Sequence, residues 1–367
     1  MEGYNLFQIP RNIVRMSFIL INNLYCIPTY VIWVLLLWPL KKLRPELYWK
    51  IEGYLFHWLL AMVSLWCESA GYRIVETGDD ISECLEERTL IIANHQSTAD
   101  VPMLFSCYNT RQKVLPNIMW IMDSLFKYTN FGVVSYLHQD FFIKSGKENR
   151  DKALQELSHH LVDKYVILER KWLVLFPEGG FLRNRKAISH KYADKNNLPK
   201  FENVSLPRLG AMKIIMNTVG PQSSVNNNSS SKSEFQRAHI EYVLDITIAY
   251  PKGVPINITD ILFGTRAPCE TIFFYRVYRS TEVPEDSEAM TDWLFKRWAE
   301  KENMLQTYYD TGIIPAHYSR TNNCESRLVV QDYLKFLILH LFFLFSSYFH
   351  VQMFITAYQC CLYFWVY

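Results

Sequence analysis

Two long stretches without a formal charge bound what this chain can fold into. From Met16 to Leu40 there are 25 consecutive residues with no Asp, Glu, Lys or Arg, and from Phe336 to Tyr367 another 32. About 20 apolar residues suffice to cross the ~30 Å hydrocarbon layer of a bilayer, so each end carries a candidate membrane segment. Neither is uniform. Asn22, Asn23 and Pro28 interrupt the first run, and Ser346, Ser347, His350 and Gln352 the second. Polar groups in lipid need a neighbouring helix or the interface to satisfy them. The first run is therefore open to one span or to two half-length helices in one leaflet. The second is open to one tilted span with an interfacial tail or to a shallow hairpin. No small-residue cleavage site follows the first run, and Trp38-Pro39 with Lys41 and Lys42 reads as an anchor edge rather than the end of a signal peptide. Lys41, Lys42, Arg44 and Lys50 follow the run while Arg11 and Arg15 precede it, so the positive-inside rule places the next domain in the cytosol.

Composition narrows the partners. With 38 Lys+Arg against 36 Asp+Glu, the chain has no bulk positive charge for nucleic acid. An apolar fraction of 50% with only 20% charged residues disfavours intrinsic disorder of the chain as a whole. The eight cysteines show no Cys-x-x-Cys and no regular spacing, so neither a metal site nor a disulfide framework is expected. His159-His160 lacks further ligand spacing, and no metal is expected there either.

Between the two ends, apolar runs alternate with helical periods. Gly53 to Ala70 has the wide apolar face of a helix at a membrane interface or packed on a core. Leu90 to Ala93, Val133 to Ile143, Trp172 to Phe176, Tyr242 to Tyr250 and Thr271 to Tyr278 read as strands. Helices are expected after Ser97, after Ser145, after Pro207-Arg208 and around Trp293 to Leu305. Alternation of this kind argues for an α/β sheet with helices on its faces. The expected organisation is a membrane anchor and interfacial helix over 1–70, an α/β domain over 71–315 with a disordered polar loop at 220–238, and a membrane segment over 330–367. Met119, Trp120, Met122, Leu125 and Phe126 form an apolar cluster that suits a core, or the lining of an acyl tunnel.

The stretch Asn94-His95-Gln96-Ser97-Thr98-Ala99-Asp100 sits where a strand ends and a helix begins, the place where open α/β sheets put their sites. If the turn brings Asp100 to one imidazole nitrogen, the other is free to act as a general base. The bland alternative is a helix cap, with Ser97 at N-cap, Asp100 at N3, and His95 an ordinary loop histidine. Three further groups follow in order: Asp140-Phe141-Phe142-Ile143-Lys144, Phe176-Pro177-Glu178-Gly179-Gly180 and Leu206-Pro207-Arg208. Taken together, the four resemble the motif boxes of the glycerolipid acyltransferases, acyl-CoA:lysophospholipid O-acyltransferases. Met119 to Asp123, Phe126 to Gly132 and Arg170 through Arg185 resemble the lysophosphatidylglycerol acyltransferase branch of that family.

That resemblance implies most of the functional reading. His95 would deprotonate the lysolipid hydroxyl and Asp100 would orient it. Asn94, Lys144, Glu178, Gly179, Gly180, Pro207 and Arg208 would contact the substrates. Beside them Arg183, Arg185, Lys186 and Lys191 form a basic run that suits CoA phosphates or anionic headgroups, or else a solvated loop face. It implies acyl-CoA as co-substrate, no bound cofactor, a lipid bilayer as partner and a place in the endoplasmic reticulum membrane. Lys144 stands where the family usually has Arg, Gln139 where it usually has Gly, and Gly180 where the phosphatidate-forming enzymes carry Thr. These departures bear on the acceptor headgroup. Two rivals stay open on the residues alone: a thioesterase or lysophospholipase using the same pair with water, and a non-catalytic lipid-binding membrane protein.

Overall fold

The computed structural model describes residues 8–146, 148–222, 239–321 and 325–366. In chain order its elements are α1 (Gln8–Leu36), α2 (Trp38–Leu43), α3 (Pro45–Ser69), β1 (Tyr72–Gly78), β2 (Thr89–Ala93), α4 (Asp100–Tyr108), β3 (Ile118–Asp123), α5 (Asn130–His138), β4 (Phe141–Ile143), α6 (Arg150–His160), β5 (Trp172–Leu175), α7 (Leu182–Asn196), α8 (Leu209–Val219), β6 (Tyr242–Ala249), α9 (Ile258–Phe263), β7 (Cys269–Arg279), α10 (Ser287–Thr311), β8 (Arg327–Leu328) and α11 (Tyr333–Val366). From 223 to 238, the expected polar loop lies outside the described residues.

The eight strands form one sheet in the order β4-β3-β5-β2-β6-β7-β1-β8. The first five run parallel, β7 is antiparallel to β6, β1 is parallel to β7, and β8 closes the edge antiparallel to β1. Strand β2 is buried on both faces, which is why it reads as an unbroken apolar run rather than an alternating one. Its side chains still alternate between two cores. Ile91 and Ala93 join the cluster built with α1, α3 and α4, while Leu90 and Ile92 join the one built with α6, α8 and α10. The result is three layers, helix on sheet on helix, with the parallel strands ending together at one edge.

One expectation changes. Val133 to Ile143 is not one strand but α5 followed by the short β4. The β-branched pair Val133-Val134 suggested extension, but Thr129 caps a helix by accepting from the Gly132 amide. Gln139 ends it in the left-handed conformation, φ 71° and ψ 36°. Glycine takes that conformation without penalty, whereas another residue costs about 1 kcal/mol or more. Of the two settings open to helix α3, core packing is present: its Leu55, Phe56, Leu59, Leu60 and Val63 are buried, while Leu47 and Tyr54 are exposed.

Helix α1 holds the first apolar run as far as Leu36 and α11 holds most of the second, and each is long and apolar enough to cross a membrane. Helix α1 does not stand away from the domain. Tyr30 donates to Glu52, Trp66 donates to Asn22, and Arg15 donates to the carbonyls of Trp66 and Ile261. These ties run α3 back along α1, and they satisfy Asn22, one of the polar interruptions. Helix α11 runs parallel to α1, with Phe18 stacked on His340 and Trp33 edge-on to His350, and with Thr29 bonded to Ser347. The outward faces of both helices are apolar and exposed.

Candidate active site

The parallel strands deliver four segments to one edge of the sheet. Asn94 comes first after β2, and its buried amide is fully engaged: Oδ1 accepts from the Ile248 amide at 2.8 Å and Nδ2 donates to the Ile248 carbonyl at 3.0 Å. It stitches the end of β2 to β6. Each polar atom of Asn94 holds one bond to Ile248, so in the structure the side chain clamps the two strands together.

His95 and Asp100 are brought together by the turn. His95 Nδ1 lies 2.8 Å from Asp100 Oδ2. The same oxygen accepts from the amides of Gln96 and Ser97 at 2.7 and 3.0 Å, and Oδ1 accepts from the Tyr250 hydroxyl at 2.6 Å. An ionised carboxylate only accepts, so the proton sits on Nδ1 and Nε2 carries the lone pair. Among the described residues nothing bonds Nε2. The imidazole stacks on Phe176, with centroids 4.0 Å apart, and meets Phe181 edge-on. The capping alternative is partly present too, since Asp100 does accept from the Ser97 amide. Ser97 Oγ itself donates to the Ile256 carbonyl and accepts from the Ala99 amide, so it is a structural hydroxyl and not a nucleophile.

Glu178 is buried and points into the protein. Its Oε1 accepts from the His95 amide at 3.1 Å and from Trp298 Nε1 at 3.2 Å, and Oε2 accepts from the Ser205 amide at 3.0 Å. One carboxyl therefore ties the His95 turn, the loop before Pro207 and α10 together. Burial raises its pKa to about 8, against the pull of those donors. In the structure its carboxyl acts as an internal clamp.

Around it the third and fourth boxes close on each other. The Arg208 amide donates to the Pro177 carbonyl at 2.9 Å, and the Leu182 amide to the His95 carbonyl at 2.8 Å. Gly179 has φ 69°, a conformation that favours glycine, and a methyl there would meet the Arg208 guanidinium at 3.4 Å. At Gly180 a methyl would meet the Arg185 side chain at 3.1 Å, tighter than ordinary contact. Two guanidinium-bearing side chains thus flank the Pro-Glu-Gly-Gly turn. Pro207 is buried and Arg208 exposed; Arg183 is exposed on the first turn of α7. Lys144 is exposed just past β4, three strands or roughly 14 Å from His95 at the usual strand spacing. Lys186, from the same basic run as Arg183, is paired with Glu202.

Several contributors carried no signal in the sequence. Tyr250 reaches Asp100 from 150 residues away. Helix α10 backs the site: besides Trp298, its Glu302 accepts from the amides of Glu202, Asn203 and Val204. Its buried Lys301 pairs with Asp245, and burial lowers the lysine to about 8. The apolar cluster divides, with Met119 and Trp120 in the core of β3 and Leu125 exposed. His160 Nε2 donates to the Gln139 carbonyl at 2.9 Å, and no group of metal-ligating side chains forms among the described residues.

The family model described as acyltransferase matches residues 73–221, and that described as acyltransferase C-terminus matches 260–332. Acyl-CoA:lysophosphatidylglycerol acyltransferase 1 of Homo sapiens is 39% identical over 95% of this chain and 95% of its own, and the Mus musculus protein of that name is 38% identical over 96% of each. Among solved structures, the 1-acyl-sn-glycerophosphate (LPA) acyltransferase PlsC from Thermotoga maritima is similar at a TM-score of 0.39 and 13% identity, covering 77% of this chain and 97% of that one. With 39% identity along nearly the whole length of both chains, this protein belongs to the acyltransferase family and is an acyltransferase.

Proposed function

We propose that the protein transfers a fatty acyl group from acyl-CoA to a free hydroxyl of a lysophospholipid, with lysophosphatidylglycerol as the acceptor. The observation that carries the reaction is the His95 Nδ1–Asp100 Oδ2 bond of 2.8 Å, which leaves Nε2 as a base. The names of the human and mouse relatives support this acceptor. In this reading Nε2 takes the proton of the lysolipid hydroxyl as its oxygen attacks the thioester carbonyl. Asp100 stabilises the imidazolium that forms, the C–S bond breaks, and the proton passes to the departing CoA thiolate. An alcohol is a poor nucleophile at pH 7 and a thioester is already activated, so one positioned base suffices without a covalent enzyme intermediate.

Arg208 and Arg185 beside the glycine turn are placed to meet the acceptor phosphate, and a guanidinium offers it a two-pronged contact. Lys144 and Arg183 are exposed cations farther out that would meet headgroup or CoA phosphates. The outward faces of α1 and α11 hold the domain at the endoplasmic reticulum membrane, with the catalytic domain in the cytosol. The test is a panel of lysophospholipids with labelled acyl-CoA. Label entering phosphatidylglycerol and depending on added lysophosphatidylglycerol is the expected result. CoA release that proceeds equally well without any lysolipid would make the protein a hydrolase.

A further inference from the structure

Between β3 and the end of α5 the chain exposes an apolar ridge. Six consecutive residues, Leu125 to Asn130, are exposed, with Leu125 at 73% and Tyr128 at 88%, and α5 adds Val133 and Tyr136, the latter at 63%. A shallow groove lined by Lys127, Tyr128, Thr129, Gly132, Val133 and Tyr136 runs along it. A soluble surface does not usually collect side chains of this kind at such exposure.

What covers the ridge is indicated by its neighbour. Asn130 donates to Asn23 of α1 at 3.1 Å, and Phe131 meets Trp66 of α3 edge-on. The residues of α1 on either side of Asn23 that face outward are Leu20, Ile21 and Leu24, all exposed, Leu24 at 74%. The ridge therefore continues the apolar face of a helix long enough to meet a bilayer. Its chemistry suits the interface: tyrosines with a polar tip on an apolar body, and Lys127 and Lys144 at its edge, where anionic headgroups attract cations. Asp123, the acidic group nearest in sequence, is exposed, and its carboxylate is occupied in accepting from the Leu125 amide and the Ser145 hydroxyl.

We propose that Leu125, Tyr128, Val133 and Tyr136 insert into the same leaflet as α1, as a third membrane contact outside the two terminal helices. This inference rests on the proposed membrane attachment of α1. The ridge follows β3, two strands or about 10 Å from β2 at the usual spacing, on the edge that carries His95. Its insertion brings that edge down to the lipid surface, so a lysophospholipid reaches Nε2 by lateral movement out of the leaflet without crossing water.

The test uses the full chain with Cys269, Cys324, Cys360 and Cys361 replaced by Ser, in vesicles containing phosphatidylglycerol. A fluorophore is placed in turn through Tyr128→Cys, Leu24→Cys and Lys195→Cys, and quenching by spin-labelled lipid is read. Lys195 lies on α7, whose Ala193 packs into the core on the sheet face opposite α1. Quenching at 24 and 128 but not at 195 is expected. Quenching at 24 alone overturns the ridge while leaving the attachment of α1 intact; none at 24 overturns the attachment itself. A second arm compares Leu125→Asp/Tyr128→Asp with the wild type on long-chain lysophosphatidylglycerol in vesicles and on a short-chain, water-soluble one. We expect a loss of about tenfold on the vesicle substrate and less than about twofold on the soluble one, since only the first needs insertion. Equal losses on both, or none on either, contradict the proposal.

Discussion

Replacing Glu178 by Gln separates two roles for this residue, because the acceptor contact implied by family resemblance and the clamp seen in the structure respond differently. Gln keeps one accepting oxygen for the His95 amide and Trp298 Nε1, but turns an NH2 toward the Ser205 amide, donor against donor. Leaving that buried donor unpaired costs about 1–3 kcal/mol. Against this, the wild-type carboxyl binds its proton more tightly when folded, at about 8, than its ordinary value of 4.5. Its contribution to stability is therefore full below about 4.5 and is lost as pH rises toward 8, by at most about 5 kcal/mol. The amide has no such dependence. Unfolding of both proteins, followed by tryptophan fluorescence in detergent between pH 5 and 9, should show the variant less stable at pH 5 and gaining on the wild type as pH rises. Its kcat should fall, since repulsion from the Ser205 amide displaces the side chain whose oxygen holds the His95 turn, while the KM for lysolipid stays near wild type. A stability difference independent of pH, or a variant whose KM alone rises, would refute the clamp.

Other perturbations follow from the same geometry. Asp100→Asn can still hold Nδ1–H through its amide oxygen but loses the charge opposite the imidazolium, so steady-state assays should give kcat lower by about 1.5–3 kcal/mol, roughly 10- to 200-fold, with little change in melting temperature. Asn94→Ala leaves a buried N–H and C=O of Ile248 unpaired, and chemical denaturation should show a loss of about 2–4 kcal/mol with an unchanged lysolipid KM in the folded fraction. Arg208→Ala should raise the KM for the anionic acceptor about 3- to 10-fold and leave the KM for acyl-CoA near wild type, measured by varying each substrate in turn.

The parts of this protein that were legible in the sequence are those whose chemistry is local. His95 and Asp100 lie within one turn, the parallel strands announce themselves as apolar runs, and the terminal helices by their lack of charge. What was hidden depends on long-range packing. Glu178 sits in a Pro-Glu-Gly-Gly turn that looks exposed, and only the folded arrangement of Ser205, Trp298 and the His95 amide makes it internal. Asn94 belongs to the motif but spends its amide on β6. Tyr250 and Glu302 have no spacing relation to the residues they hold. Strand β1 carries a weak signal because apolar Val75 falls on the outward side and charged Glu76 on the buried side, and β3 because Met119 and Trp120 read equally well as any apolar core. Gln139 shows the reverse case: its departure from the family's glycine marks the left-handed end of α5.

The most direct test of the central claim compares wild type with His95→Ala in phosphatidylglycerol-free vesicles carrying lysophosphatidylglycerol and labelled acyl-CoA, with labelled phospholipid and labelled free fatty acid read together. Losing a positioned base should cost about 100- to 10,000-fold in rate. We expect label to enter phosphatidylglycerol with His95 present and to fall to background without it. Label entering the phospholipid at the same rate in both proteins, or appearing only as free fatty acid in the wild type, would contradict the account.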